Sequence, residues 1–174
     1  MRKPPITEAN RIKRLNLALA HRDWRREQWD TVLWRDETWA TGGRHTRTWV
    51  TRRPGEEWND DCVVDRIQRP KGWMFWAYFS GLAGKGPFLF WEKDWGSINK
   101  HSYRRRIVPL IDDHIRGCRE RGIGQHILMQ DGAPGHAARE TIADIEGRGI
   151  QLLQWPPYSS DLNPIERVWH YGGR

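Results

Sequence analysis

The sequence predicts an α/β domain in which a mixed five-stranded sheet carries helices on both faces. Three observations lead to this class. Apolar segments rich in Val, Phe and Trp indicate buried strands in the first half of the chain. Segments with apolar residues three and four positions apart indicate helices in the second half, where two further short apolar segments alternate with them. Strands that come first and then alternate with helices give a mixed sheet covered on both sides.

Length and composition favour one folded domain. The chain has 174 residues, enough to bury a core. Only 37% of the residues are hydrophobic, but 12 Trp residues each supply a large apolar area. There is no run of 18 apolar residues and no apolar segment of a signal peptide near the N-terminus, so we expect no membrane contact. Cys62 and Cys118 lie far apart without a CxxC pair, and we expect two buried free thiols.

The charge balance points towards a polyanionic partner. The formal net charge is +7 and the isoelectric point is about 9.8. Nucleic acid is the commonest polyanion that a basic protein binds. The Lys and Arg residues are nevertheless spread along the chain, so the charge alone is equally compatible with an ordinary solvated surface.

The first third of the chain predicts a helix followed by strands. Thr7 is placed to cap a helix that runs to about Ala20, with a stripe of apolar residues along it. Segments 30–40 and 47–53 contain the Val, Leu and Trp of buried strands. A polar loop is expected at 54–70.

The middle of the chain continues the sheet and then becomes helical. Segment 72–80 is almost wholly apolar and predicts a strand, after which 87–92 could return as a further short strand. Helical spacing runs over 99–121, although Pro109 costs about 3 kcal/mol inside a helix unless the helix kinks or restarts there. Strands are then expected at 126–131 and 150–155. They flank a helix at 137–147, and a last helix starts near residue 163.

Three carboxylates stand at structured positions. Asp36 falls in the first strand, Asp131 at the end of the strand 126–131, and Glu166 at the start of the last helix. Carboxylates beside apolar strands are costly unless something compensates their charge. Hard oxygen ligands suit Mg²⁺ or Mn²⁺, and two such ions about 3.5–4 Å apart support phosphoryl transfer. The three residues therefore form a candidate metal-dependent site.

Simpler explanations exist for the two aspartates. Asp36 could pair with a neighbouring cation such as Arg35 or Arg44. Asp131 and Gly132 form a common turn dipeptide, so this aspartate could simply begin a loop.

The glutamate and the one nearby histidine also have structural explanations. If Asn163 caps the last helix, Pro164 is its first residue and Glu166 occupies the third position, as in a capping box. Such a glutamate points back to its own backbone, whereas a metal ligand points across to the strands. His136 could be a base, but a histidine beside a helix start is more often a capping or surface residue. Most Trp residues are expected in the core because they fall within strands.

A cluster of three carboxylates has an electrostatic consequence. Without a metal, the charges are expected to raise one another's pKa and to destabilise the fold. On this basis, Asp131→Asn is expected to melt no lower than the parent protein in the presence of a chelator.

Two motifs resemble a known family. The segments "LMQDGAPGHAA" (128–138) and "WPPYSSDLNPIERVW" (155–169) are similar to the catalytic core of Tc/mariner-superfamily transposases of the DDE type, and "VLWRDETW" (32–39) resembles their first catalytic strand. The spacing agrees with the Tc-like branch, because 34 residues separate Asp131 from Glu166. The sequence departs from the family pattern at Gly132, where the family has asparagine.

The resemblance implies a fold and an activity. The fold would be ribonuclease-H-like, with Asp36, Asp131 and Glu166 as the catalytic and metal-binding residues for two Mg²⁺ or Mn²⁺ ions. The family cuts DNA at transposon inverted repeats and joins the freed 3′-hydroxyl to a TA target. The implied partners are double-stranded DNA and a second copy of the chain, and the implied location is the nucleus.

The resemblance also sets the expected domain limits. Residues 1–29 would be a helical lead-in, and residues 30–174 a ribonuclease-H-like catalytic domain. The family carries two helix-turn-helix modules ahead of this region and continues the last helix beyond it, so we expect a truncated copy. The alternatives are a catalytically inactive remnant that binds DNA or protein, and a nuclease of the same fold that acts on branched DNA.

Overall fold

The computed structural model describes residues 6–41, Arg53 and 72–172. The strand expected at 47–53 lies outside the described residues apart from Arg53, and so does the loop at 54–70 with Cys62. Cys118 is a buried free thiol, as expected. In the described part of the chain, no helix combines the length and the apolar character needed to cross a bilayer.

The lead-in helix forms as predicted but stays at the surface. Helix α1 spans Glu8–Ala20, and the side chain of Thr7 accepts a hydrogen bond from the amide of Asn10. None of its residues is buried, so its apolar stripe does not join the core. The guanidinium of Arg14 instead ties the helix to the far end of the chain, donating to both carboxylate oxygens of Asp161 at 2.7 Å.

Within the described residues, five strands form one mixed sheet, which confirms the predicted architecture. After the short helix α2 (Arg26–Asp30) come β1 (Val32–Thr41), β2 (Gly72–Ser80), β3 (Gly84–Trp91), β4 (Ile127–Met129) and β5 (Gln151–Leu153). Their spatial order is β3-β2-β1-β4-β5. The strands β1, β2 and β3 pair antiparallel, whereas β4 pairs parallel with both β1 and β5. The strand β1 therefore lies at the centre.

The remaining helices follow the predicted order with two interruptions. They are α3 (Lys100–Arg106), α4 (Val108–Glu120), α5 (Pro134–Ala137), α6 (Arg139–Gly147) and α7 (Ile165–Gly172). Short 3-10 turns lie at Lys93–Trp95 and Ser160–Leu162. Pro109 falls in the first turn of α4, where its missing amide costs nothing, so the predicted helix restarts rather than kinks.

Helices cover both faces of the sheet. On one face, Leu33 packs in a buried cluster with Tyr103 and Ile111 of α3 and α4 and with Ile145 of α6. On the other face, Trp34 packs with residues that include Trp29, Trp155 and Phe79. Helix α7 lies on this second face, because Trp169 contacts Phe75 edge to face. Most of the described Trp residues lie in or against these two clusters, as expected, but Trp39 and Trp73 are about half exposed.

Candidate active site

Strand β1 separates three consecutive charged residues between the two faces of the sheet. Side chains alternate along a strand, so Asp36 shares the face of Trp34, whereas Arg35 and Glu37 share the opposite face. On β2 the register partner of Asp36 is Ala77, a small residue. Asp36 is half-buried.

The parallel pairing of β1 with β4 brings the second aspartate to the same level. Val32 pairs with Ile127 and Leu33 with Leu128. Three residues further along this register, Asp131 falls level with Asp36 just beyond the end of β4. These adjacent parallel strands therefore bring the two aspartates to one level of the sheet.

The third acid is carried by the first turn of α7. The side-chain amide of Asn163 donates to the backbone carbonyl of Arg35 at 3.1 Å, which ties the start of α7 to β1. The side-chain oxygen of Asn163 accepts from the amide of Ile165 at 3.3 Å, so this residue does cap the helix. The backbone amide of Asn163 donates to the backbone carbonyl of Ser160 and not to the side chain of Glu166. The capping-box explanation for Glu166 is therefore wrong, and its side chain is exposed at the cleft described next.

One cleft of about 560 Å³ brings the three predicted residues together, because Asp36, Asp131 and Glu166 all line it. The segment from Trp155 to Ser160 forms another wall of the cleft. In that wall Tyr158 has a φ of 56°, a left-handed conformation that a bulky residue rarely adopts, and its side chain is 77% exposed.

The two aspartates have opposite electrostatic environments. Burial raises the pKa of Asp36 to about 6; a hydrogen bond from the backbone of Glu37 opposes this shift, and the charges of Glu37 and Glu166 add to it. Burial alone would also raise the pKa of Asp131, but a hydrogen bond with His136 and the charge of Arg35 hold it well below its usual range. The carboxylates were expected to raise one another's pKa. The pKa of Asp36 is indeed raised, mainly through burial. The pKa of Asp131 is lowered instead, so the expectation is wrong for this residue.

The cause of this difference is a buried polar cluster that the sequence interpretation missed. Arg35 does not pair with Asp36; its described ion pairs are with Glu37 and Asp131. Arg44, the other cation considered for Asp36, lies outside the described residues. His136 is buried rather than at the surface, and its Nδ1 lies 2.5 Å from Oδ1 of Asp131. The signal available in the sequence was the alternation of β1, which puts Arg35 and Glu37 on the same side.

This environment reverses the expected effect of Asp131→Asn. The substitution leaves the buried guanidinium of Arg35 with a neutral acceptor, so we expect the free energy of unfolding in chelator to fall by about 1–3 kcal/mol. Urea denaturation measures it, with the exposed Asp94→Asn as the matched control. An Asp131→Asn protein as stable as the parent would show that the ion pair contributes nothing.

The chemistry of the cleft fits a hard divalent cation. Its acidic side chains offer oxygen donors, the ligand type that Mg²⁺ and Mn²⁺ take in proteins. The raised pKa of Asp36 marks a position where an added positive charge would be favourable. Within 6–41 and 72–172, however, no three His, Cys, Asp or Glu side chains already stand at ligand spacing.

Comparisons with known proteins bear on the whole chain. A family profile described as DDE superfamily endonuclease matches residues 31–172. The chain is 27% identical over 172 residues to the Tc1 transposable element transposase of Caenorhabditis elegans, and 27% identical over 173 residues to the Tcb2 transposase of Caenorhabditis briggsae. These alignments cover 97% and 98% of the chain, but the chain spans only 60% of the length of either relative.

Solved structures share the fold. The catalytic domain of Mos1 mariner transposase superposes with a TM-score of 0.70 at 18% identity, over 99% of this chain and 74% of that one. The Mos1 paired-end complex with Mn gives a TM-score of 0.72 at 19% identity, over 100% of this chain and 53% of that one. This likeness confirms the ribonuclease-H-like arrangement of the sheet and helices.

Proposed function

Because the chain belongs to the DDE superfamily endonuclease family, we propose that its cleft cuts DNA with divalent cations held by Asp36, Asp131 and Glu166. The observation that carries this proposal is the convergence of three acids on one cleft from a central strand, the end of its parallel neighbour and the first turn of α7. A phosphodiester cleavage site needs negative ligands at fixed places, and this arrangement supplies them on, or directly beside, regular elements.

Each acid has a different part in the proposed site. The central and half-buried Asp36 is the residue whose charge most needs a cation, because its pKa is raised to about 6. Asp131 is held ionised by its neighbours and offers a carboxylate at any physiological pH. Glu166 is exposed on α7 and reaches the cleft from the second face of the sheet. Bound cations would activate the attacking hydroxyl or water and neutralise charge on the phosphate.

The relatives suggest the substrate. The Tc1 and Tcb2 proteins are named transposases of transposable elements, and one solved Mos1 complex is described as holding a left transposon end. We therefore propose that this chain acts on double-stranded DNA at transposon inverted repeats and transfers the cut strand to a TA target. A net charge of +7 favours the phosphate backbone. Two bound ions, pairing with a second copy and a nuclear location belong to the same proposal.

The proposal is tested by nicking of supercoiled plasmid. The purified protein is expected to nick DNA with Mn²⁺ and not with chelator. Glu166→Gln is expected to lower the rate about a hundredfold or more, since charge stabilisation of several kcal/mol is lost. Glu146→Gln, on the exposed face of α6, makes the same charge change away from the cleft and is expected to nick like the parent.

Two results would contradict it. If Glu166→Gln nicks as fast as Glu146→Gln, the glutamate has no part in cleavage. If the parent protein binds DNA with a steep dependence on salt but never nicks it with Mn²⁺, the chain acts as a binding protein.

A further inference from the structure

A buried arginine binds two acidic residues that line the candidate site. Arg35 is 1% exposed. Its Nη1 donates to both carboxylate oxygens of Glu37, at 2.9 and 3.0 Å, and its Nη2 donates to Oδ1 of Asp131 at 3.1 Å. The planar guanidinium suits this double engagement, because its donors point in fixed directions.

A buried histidine contacts the same oxygen. The Nδ1 of His136 lies 2.5 Å from Oδ1 of Asp131 and 2.6 Å from Nη2 of Arg35, so this nitrogen contacts both the carboxylate and the guanidinium. The imidazole packs on the ring of Tyr103, with 4.4 Å between the ring centroids. The backbone carbonyl of His136 accepts from the side-chain amide of Gln130 at 3.3 Å. Asp131 and Tyr103 therefore hold the ring, and Gln130 holds the backbone that carries it.

A glycine lets the turn that carries His136 approach the neighbouring helix. A Cβ on Gly135 would lie only 3.1 Å from the backbone carbon of Asn99, the residue that caps α3. The carbonyl of Gly135 also accepts from the hydroxyl of Thr141 at 2.8 Å. The turn is thus packed directly against α3, and the position of His136 depends on this close contact.

These contacts leave the two oxygens of Asp131 in different situations. Within the described residues, every hydrogen bond to this side chain falls on Oδ1. The side chain is nevertheless 52% exposed and lines the cleft. Oδ2 is therefore the oxygen left for a ligand that enters the cleft.

We propose that Arg35 and His136 are positioning residues, which hold Oδ1 of Asp131 and thereby aim Oδ2 at a divalent cation in the cleft. This inference rests on the proposed function. Carboxylates that bind metals are usually fixed by hydrogen bonds of this kind, and loss of such a partner weakens metal binding about 10-fold to 100-fold.

The opposite role for Arg35 would be to mask Asp131 until a cation displaces it. Two features favour positioning. The guanidinium is buried and engaged by both oxygens of Glu37, so it is not free to swing away from the cluster. The charge of Glu37 also balances that of Arg35, so the pair adds little net repulsion to a cation bound at Asp131. The sign of the effect on metal affinity distinguishes the two roles.

The test measures binding of Mn²⁺ alone, without DNA, by the electron paramagnetic resonance signal of the free ion. His136→Leu removes the polar contact with Oδ1, whereas His136→Gln keeps a polar amide that can still contact it. The double variant Arg35→Met with Glu37→Gln removes the buried pair without leaving one charge unpaired. His136→Leu and the double variant are expected to raise the Kd for Mn²⁺ about 10-fold to 100-fold, and His136→Gln is expected to stay nearer to the parent.

The controls separate this inference from the proposed function. Asp131→Asn is expected to bind Mn²⁺ more weakly than any of these variants. If it binds like the parent, Asp131 is no ligand, and the proposed function and this inference fail together. If Asp131→Asn loses Mn²⁺ while His136→Leu and the double variant bind like the parent, the function stands and positioning is overturned. A double variant that binds Mn²⁺ more tightly would show that Arg35 masks the site.

Folding of each variant is checked by circular dichroism and melting in chelator. Should the double variant fail to fold, Arg35→Lys decides in its place. It keeps the charge, but one ammonium cannot reproduce the double engagement of Glu37 and Asp131. Arg35→Lys is expected to weaken Mn²⁺ binding, and unchanged affinity would overturn the role of Arg35.

Discussion

Asp36→Asn is expected to abolish DNA cleavage while making the metal-free protein more stable. Cleavage is expected to fall about a thousandfold or more, because several kcal/mol of charge stabilisation depend on this ligand. The stability gain arises because the parent protein must keep a half-buried carboxylate ionised at neutral pH. Allowing for its partial exposure, removing that charge is worth about 2 kcal/mol, or roughly 4–8 °C in Tm.

The dependence of stability on pH explains why Asp36→Asn is expected to stabilise the metal-free protein. Folding raises the pKa of Asp36 from 3.8 to about 6, so the folded state binds the proton more tightly than the unfolded chain does. Its contribution to stability is therefore fully present below the lower value and is lost as the pH rises through the upper one. The stability of the parent is expected to fall across this window relative to Asp36→Asn.

Thermal melts in chelator at a series of pH values measure this difference, with Asp94→Asn as the control for an exposed carboxylate. An Asp36→Asn protein that melts below the parent at neutral pH would show that the charge of Asp36 does not destabilise the folded protein. If it melts higher and also nicks DNA at the parental rate, the charge of Asp36 destabilises the fold but takes no part in cleavage.

Glu37→Ala is expected to cause the largest loss of stability among substitutions at the site. It removes the bidentate partner of a guanidinium that is only 1% exposed, and leaves that charge with Asp131 alone. Breaking one side of a buried ion pair costs about 3–5 kcal/mol, a large part of the 5–15 kcal/mol that stabilises a typical domain.

Urea denaturation with a series of Glu37 variants measures this cost. Glu37→Gln keeps an acceptor for Arg35 and is expected to lose less than Glu37→Ala. The double variant Arg35→Met with Glu37→Gln is expected to recover stability, because neither charge remains buried. If Glu37→Ala unfolds at the urea concentration of the parent, Arg35 does not depend on Glu37.

The sequence predicted the elements whose signals are local. Thr7 caps α1, and the apolar segment 72–80 is a strand with those limits. The sequence also singled out Asp36, Asp131 and Glu166, which line one cleft, because the family motifs that contain them are read directly from the chain. Their catalytic role remains a prediction.

What the sequence did not predict depends on contacts between distant segments. Strand alternation puts Arg35 and Glu37 on one face of the sheet. It does not predict that His136, about a hundred residues later in the chain, contacts Arg35 there. The pKa of Asp131 could not be inferred for the same reason, since its direction depends on that cluster. The choice between a kink and a restart at Pro109 likewise depends on how α3 and α4 pack.

The hydrogen bond from Asn163 to the carbonyl of Arg35 has a consequence for protein synthesis. It joins residues 128 positions apart, and it fixes the start of the helix that carries Glu166. A ribosome that has translated Asp131 has produced both aspartates but not the glutamate. In the proposed site, the growing polypeptide cannot cut nucleic acid before α7 has emerged from the ribosome and docked on β1.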